Sequence, residues 1–125
     1  MPASAPEIIL RLVRRLSGAE EPKKLLRRIL DAAVRITRAQ TGSIVLIDRR
    51  TSSLSIEAAR GFADRVVAGT KLGIGEGITG WVAQHGRSLR VDDVTRDRRY
   101  VPLKKAIRSE LAAPLRVDRE VIGVI

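Results

Sequence analysis

The run Ile44-Val45-Leu46-Ile47, set between Ser43 and Asp48 just after Gly42, constrains the fold more than any other feature of the chain. Successive side chains of a strand point to opposite faces. An unbroken β-branched and aliphatic run therefore needs cover on both sides. The preceding residues offer helices for one side. Ser4-Ala5-Pro6-Glu7 reads as a capping box, and Ile8, Ile9, Leu12, Val13 and Leu16 follow at helical spacing, opposite Arg11, Arg14 and Arg15. Ser17-Gly18 ends this amphipathic helix, and an isolated helix of that length needs a partner surface. A second helix is predicted from Glu21-Pro22, where proline suits the first turn. It buries Leu26, Ile29, Leu30, Ala33 and Val34, turns Lys23, Arg27, Arg28, Arg35 and Arg38 to water, and stops at Thr41-Gly42.

Beyond the central run, the polar residues 49–53 read as a turn. Leu54, Ile56 and Ala58 then alternate with Ser55, Glu57 and Ala59, as in a half-buried strand closing a hairpin. Phe62 to Ala68 reads as a short helix or loop, Ile78 to His85 as a short helix and Ser88 to Val91 as a strand. Residues 94–105 read as a charged loop with about one helical turn. Leu111 to Val117 and Val121 to Ile125 form a second hairpin around Asp118-Arg119-Glu120. Two helices, two strands, a helical insertion and three strands predict an α+β fold with an antiparallel sheet.

At 125 residues the chain can bury about two thirds of its unfolded surface, so a real core needs no metal or cross-link. It has no cysteine, which excludes a disulfide scaffold, a thiolate nucleophile and cysteine-ligated metal. One histidine, His85, leaves no histidine-rich metal site. The net charge of +10 raises nucleic acid or an acidic membrane as a partner. The nineteen arginines and five lysines are scattered, however, and no basic run reaches five residues. Phe62, Trp81 and Tyr100 are too few for a base-stacking platform. No stretch of the chain is apolar enough for a membrane span, and residues 1–16 do not read as a signal peptide, so a cytoplasmic protein is expected.

Gly75-Glu76-Gly77-Ile78-Thr79-Gly80 matches the dinucleotide pattern G-x-G-x-x-G, and with Val82 also a kinase glycine loop. Neither reading has its context: the strand before it is short, the helix after it is short, and no kinase catalytic motifs follow. The plainer reading is a tight turn whose glycines take positive φ and let backbones approach. His85, just before Gly86, suits a helix C-terminus. Asp92, Asp93 and Asp97 could form a carboxylate cluster for a metal, or a solvated strand end. Trp81 and Tyr100 could line a ligand site or simply sit half-buried in loops.

In order along the chain, Gly42 to Asp48, the segment Lys71 to Gly86 with its glycine loop, Leu89-Arg90-Val91-Asp92-Asp93-Val94 with Asp97 and Tyr100, Arg108 to Leu115, and Val121 to Ile125 together resemble a GAF domain over 23–125. The resemblance implies a GAF/PAS-like central antiparallel sheet, with N-terminal helices on one face and short helices and loops over a small-molecule pocket on the other. Transferred position by position, it implies pocket residues Ser43, Arg60, Ile78, Thr79, Trp81, Tyr100 and Val101, with Arg60 available to an anionic ligand. It implies a non-catalytic sensory or regulatory module of a bacterial signalling protein, with no cofactor and no catalytic or metal-binding residues. The expected partners are a small-molecule ligand, a second copy through the helix of residues 1–20, and a downstream output domain on a longer chain. Neither a membrane nor a specific nucleic acid is expected. Two rivals are a purely structural dimerisation module and a non-specific basic nucleic-acid binder. The domains expected are residues 1–20 as a dimer or signalling helix and 21–125 as a GAF domain cut short at its last strand, since family members continue into a further helix.

Overall fold

In a computed structural model of the chain, the described residues are 21–102 and 107–125. The helix expected within residues 1–20, with its capping box, lies outside them.

Helix α1 (Pro22–Thr37) starts with proline in its first turn, as expected. It buries Pro22, Leu26 and Leu30 on one stripe, with Leu25 and Val34 half-buried beside it. Each fully buried leucine contributes about 2 kcal/mol of apolar transfer. Ile29, expected in that stripe, is 45% exposed, and Ile36 is 83% exposed, because the buried arc is narrower than the apolar arc. The helix also stops before Thr41-Gly42: Arg38 takes a left-handed φ of 54°, and the amide of Ala39 donates back to the carbonyl of Val34 at 3.0 Å.

Strand β1 (Gly42–Asp48) pairs antiparallel with β2 (Ser53–Arg60). A short helix α2 (Asp64–Gly69) leads to β3 (Leu72–Gly73), which adds to the outer edge of β2. Helix α3 (Gly77–His85), β4 (Leu89–Val91) and a 3-10 turn (Val94–Arg96) follow. The chain then returns through β5 (Glu110–Ala112), β6 (Pro114–Val117) and β7 (Glu120–Val124). The main sheet runs β3-β2-β1-β7-β6, all antiparallel, and β4 pairs with β5 in a two-stranded sheet. The strand expected from Leu111 to Val117 is thus two strands. Ala113 exchanges backbone hydrogen bonds with Ile125 at 2.8 and 2.9 Å, so the main sheet holds this joint while β5 turns away to β4.

The run Ile44 to Ile47 is covered on both sides. Ile44 and Leu46 face α1 with Leu26, Leu30, Ala58 and Ile122. Val45 and Ile47 face the opposite layer with Leu54, Ile78, Val82, Val94 and Val124. The plain alternation of Leu54, Ile56 and Ala58 fails at one point. A β-bulge between the pairs Ile44–Ala58 and Val45–Ile56 leaves Glu57 as the extra residue and moves Ala58 to the helix side.

The roof over the second face begins at the glycine loop. Gly75 and Gly77 have φ of 88° and 71°, the turn geometry that the sequence implied. A Cβ on Gly80 would lie 2.6 Å from the carbonyl oxygen of Gly73, so α3 can rest on the loop only without a side chain there. The amide of Gly75 donates to the carbonyl of Gly80 at 2.8 Å, and the Glu76 carboxylate accepts from the amide of Gly73 at 2.9 Å. No described helix is long and apolar enough to cross a membrane.

Candidate functional site: a cleft at the open end of the sheet

The roof is solid over the middle of the sheet, where Ile47, Val82 and Val94 are each at most 1% exposed. At the end where β1 begins and β7 finishes it stands away, leaving a cleft of about 690 Å³. Its walls come from every layer. The last turns of α1 supply Ala33, Val34 and Thr37, and Gly42 and Ser43 open β1. The roof supplies Gly77, Ile78 and Thr79 from the start of α3, then Tyr100, Val101 and Ile107. Strand β5 and the end of β7 supply Glu110, Ala112, Val124 and Ile125.

Of the predicted pocket residues, Ser43, Ile78, Thr79, Tyr100 and Val101 line this cleft together. Arg60 and Trp81 do not. The Arg60 guanidinium grips the Asp31 carboxylate on α1 through both ends, with Nη2 to Oδ2 at 2.9 Å and a second contact from Nε. That hydrogen bonding lowers the Asp31 pKa and raises that of Arg60. Its charge serves the joint between α1 and β2. Trp81 stacks on His85 with ring centroids 4.1 Å apart, and the Arg99 guanidinium lies 5.0 Å from its ring centroid. It fastens the loop before Tyr100 to α3. His85 meets the carbonyl of Trp81 through Nδ1 at 2.9 Å, and Gly86 closes the helix at φ 64°.

The aspartates predicted as a possible cluster are dispersed into local pairs. Asp92 accepts from Arg90 at 2.9 Å, and Asp93 accepts from the amide of Thr95 at 3.0 Å. Asp97 takes Arg99 through Nε at 2.8 Å, Nη2 at 2.6 Å and the backbone amide at 2.9 Å. Those bonds to the ionised form hold the Asp97 carboxyl down to about 2. Among the described residues, no group of three or more histidine, cysteine or acidic side chains stands together as metal ligands.

Two groups in the cleft lack partners among the described residues. The Tyr100 hydroxyl is buried without a hydrogen bond, and its pKa is raised by burial and then by the charge of Glu110. Glu110 is half-buried, and its pKa is raised by that burial and then by Asp97. The sequence reading missed Glu110 because it began the strand at Leu111. In β5 the usual order of exposure is inverted: Leu111 is 62% exposed and Glu110 is half-buried, and both line the cleft with the buried Ala112. A glutamate less exposed than its leucine neighbour breaks the local rule, which happens chiefly at functional sites.

An antiparallel sheet is thus backed by one described helix and covered on its other face by a glycine-loop roof that opens into an end cleft. The sequence profile described as GAF domain matches residues 19–125, and the chain belongs to that family. Its structure resembles the GAF domain of an Acinetobacter phosphoenolpyruvate-protein phosphotransferase, at 21% identity over 99% of this chain and 75% of that one, with a TM-score of 0.76. The corresponding domain from Coxiella burnetii gives 17% identity over 97% and 74%, with a TM-score of 0.77. A free methionine-R-sulfoxide reductase from Neisseria meningitidis, solved with its substrate, gives 22% identity over 99% and 75%, with a TM-score of 0.75. At these identities the likeness shows the fold. No curated protein sequence matches the chain.

Proposed function

We propose that this GAF domain is a non-catalytic sensory module that holds a small molecule in the end cleft and passes its occupancy to a regulated partner domain. The observation that carries the reading is the composition of the cleft wall. Residues of α1, the sheet and the roof all face the same space. A ligand there touches both layers at once, and its binding energy favours whichever arrangement of the two it fits better. The roof contact has a route outward, because Tyr100 follows Arg99, which is clamped by Asp97 and lies over Trp81 on α3. Chemistry on the ligand is not part of the reading. The chain has no cysteine, and the single histidine is occupied with Trp81 outside the cleft. A thermal-shift screen of polar metabolites tests it. A compound that raises the melting midpoint, and that Thr79→Trp in the cleft wall prevents from doing so, is the expected result. Stabilisers indifferent to Thr79→Trp contradict it.

A second reading, self-association as a relay, is favoured by the exposed Ile29 and Ile36 on α1. Analytical ultracentrifugation tests it: a dimer that Ile36→Glu dissociates is expected, and a monomer at high concentration excludes it.

A further inference from the structure

We infer that the cleft selects ligands carrying an ammonium group, which the Glu110 carboxylate and the Tyr100 hydroxyl receive at its inner wall. The inference rests on the sensory reading above and deepens it. The chain carries 24 lysines and arginines against 14 acidic residues, so an acidic side chain has an abundance of cations to pair with. Asp31, Asp92 and Asp97 take arginines, and so does Glu120, which accepts from Arg49 at 2.9 Å. Glu110 does not. Among the described residues no hydrogen bond or ion pair reaches it, although Arg90, Arg108 and the exposed Arg38 line the same cleft. Arg90 is held by Asp92, and Arg108 stands exposed at the rim.

A half-buried carboxylate left unpaired costs stability unless something else supplies the donor. The same holds for the buried, unbonded hydroxyl of Tyr100. Both groups line the same cleft, and the Glu110 charge adds to burial in raising the pKa of the phenol. An ammonium has three donors and one positive charge, and a carboxylate and a phenol oxygen both accept. An anion there would meet Glu110 head-on. A neutral acceptor could use only the tyrosine proton. Ile78, Ile107, Ala112 and Val124 add apolar surface to the same cleft, which suits a short aliphatic chain behind the charged head.

The experiment titrates the chain with three probes of one skeleton, hexylammonium, hexanol and hexanoate, by calorimetry at neutral pH. The net charge of +10 attracts hexanoate everywhere on the surface, so an ammonium preference has to come from a local site. Hexylammonium is expected to bind about tenfold more tightly than hexanol, and hexanoate more weakly than either. Glu110→Gln is expected to bring hexylammonium down to the hexanol level, and Tyr100→Phe to weaken it about threefold. Circular dichroism confirms that both variants fold, and the ordering of the three probes on the unsubstituted chain is a test that needs no variant. Hexanoate binding as well as hexylammonium, or an ammonium preference that survives Glu110→Gln, overturns the inference. If hexanol binds in the cleft and hexylammonium does not, the cleft stands as a ligand site and only its selectivity for cations falls. If none of the three binds, both fall.

Discussion

Under the middle of the roof, Ile47 meets Val82 and Val94 with almost no surface left to water. At the end of the same face, the buried Tyr100 hydroxyl makes no hydrogen bond, and the half-buried Glu110 has no partner among the described residues. The two regions share one sheet, and β1 runs from the cleft into the packed zone. The first region satisfies every rule of a core: apolar groups, close contact, no stray polar atoms. The second breaks those rules at two positions. Natural chains tolerate such violations mostly where a ligand completes the site. On the proposed function, the middle of the roof carries stability and its end carries recognition.

Substitutions can break that assignment. The largest effect is expected at Ile47→Ala, which should lower the unfolding free energy in urea by about 3 kcal/mol through lost burial and a residual cavity. Gly80→Ala should cost about 2 kcal/mol, since the new methyl group is driven into the carbonyl of Gly73 and α3 must shift. At the cleft the sign should reverse. Glu110 has a raised pKa in the folded chain, so its ionisation opposes folding: the penalty is absent below the unfolded pKa of about 4.3 and complete above the folded one. Glu110→Gln should therefore raise the melting midpoint at neutral pH, and the gain should vanish below about pH 4. Asp97 works the other way. Its lowered pKa supports the fold above the usual carboxylate range, and that support drains away as pH falls towards about 2. Tyr100→Phe should have the smallest effect, a gain of about 1 kcal/mol or less, because it removes a buried hydroxyl that makes no bond. A loss of 2 kcal/mol or so there would mean that the cleft wall is core after all.

The sequence disclosed the packed region far better than the cleft. Ile44 to Ile47 announced a strand covered on both faces, and the glycines 75, 77 and 80 announced a tight loop under a short helix. Both signals are local, and local patterning decides them. The bulge at Glu57 was hidden, because a one-residue slip in pairing depends on the partner strand and leaves the alternation of Leu54, Ile56 and Ala58 unchanged on the page. Arg60 was misleading for a similar reason: its partner, Asp31, comes from a helix 29 residues away. Glu110 was hidden by hydrophobicity itself, since a reading that turns apolar residues inward puts Leu111 inside and the glutamate outside. The resemblance to the family supplied Ser43, Ile78, Thr79, Tyr100 and Val101, five positions that periodicity alone could not have gathered around one space.

The division between a packed middle and a receptive end is tested most directly by mapping hexylammonium on an isotope-labelled chain, following the methyl and amide signals by NMR. The account predicts saturating shifts at Ser43, Ile78, Thr79, Val101 and Glu110, with Ile47, Val82 and Val94 left in place. Shifts centred on Val82 and Val94, or on the exposed Ile29 and Ile36 of α1, would contradict it.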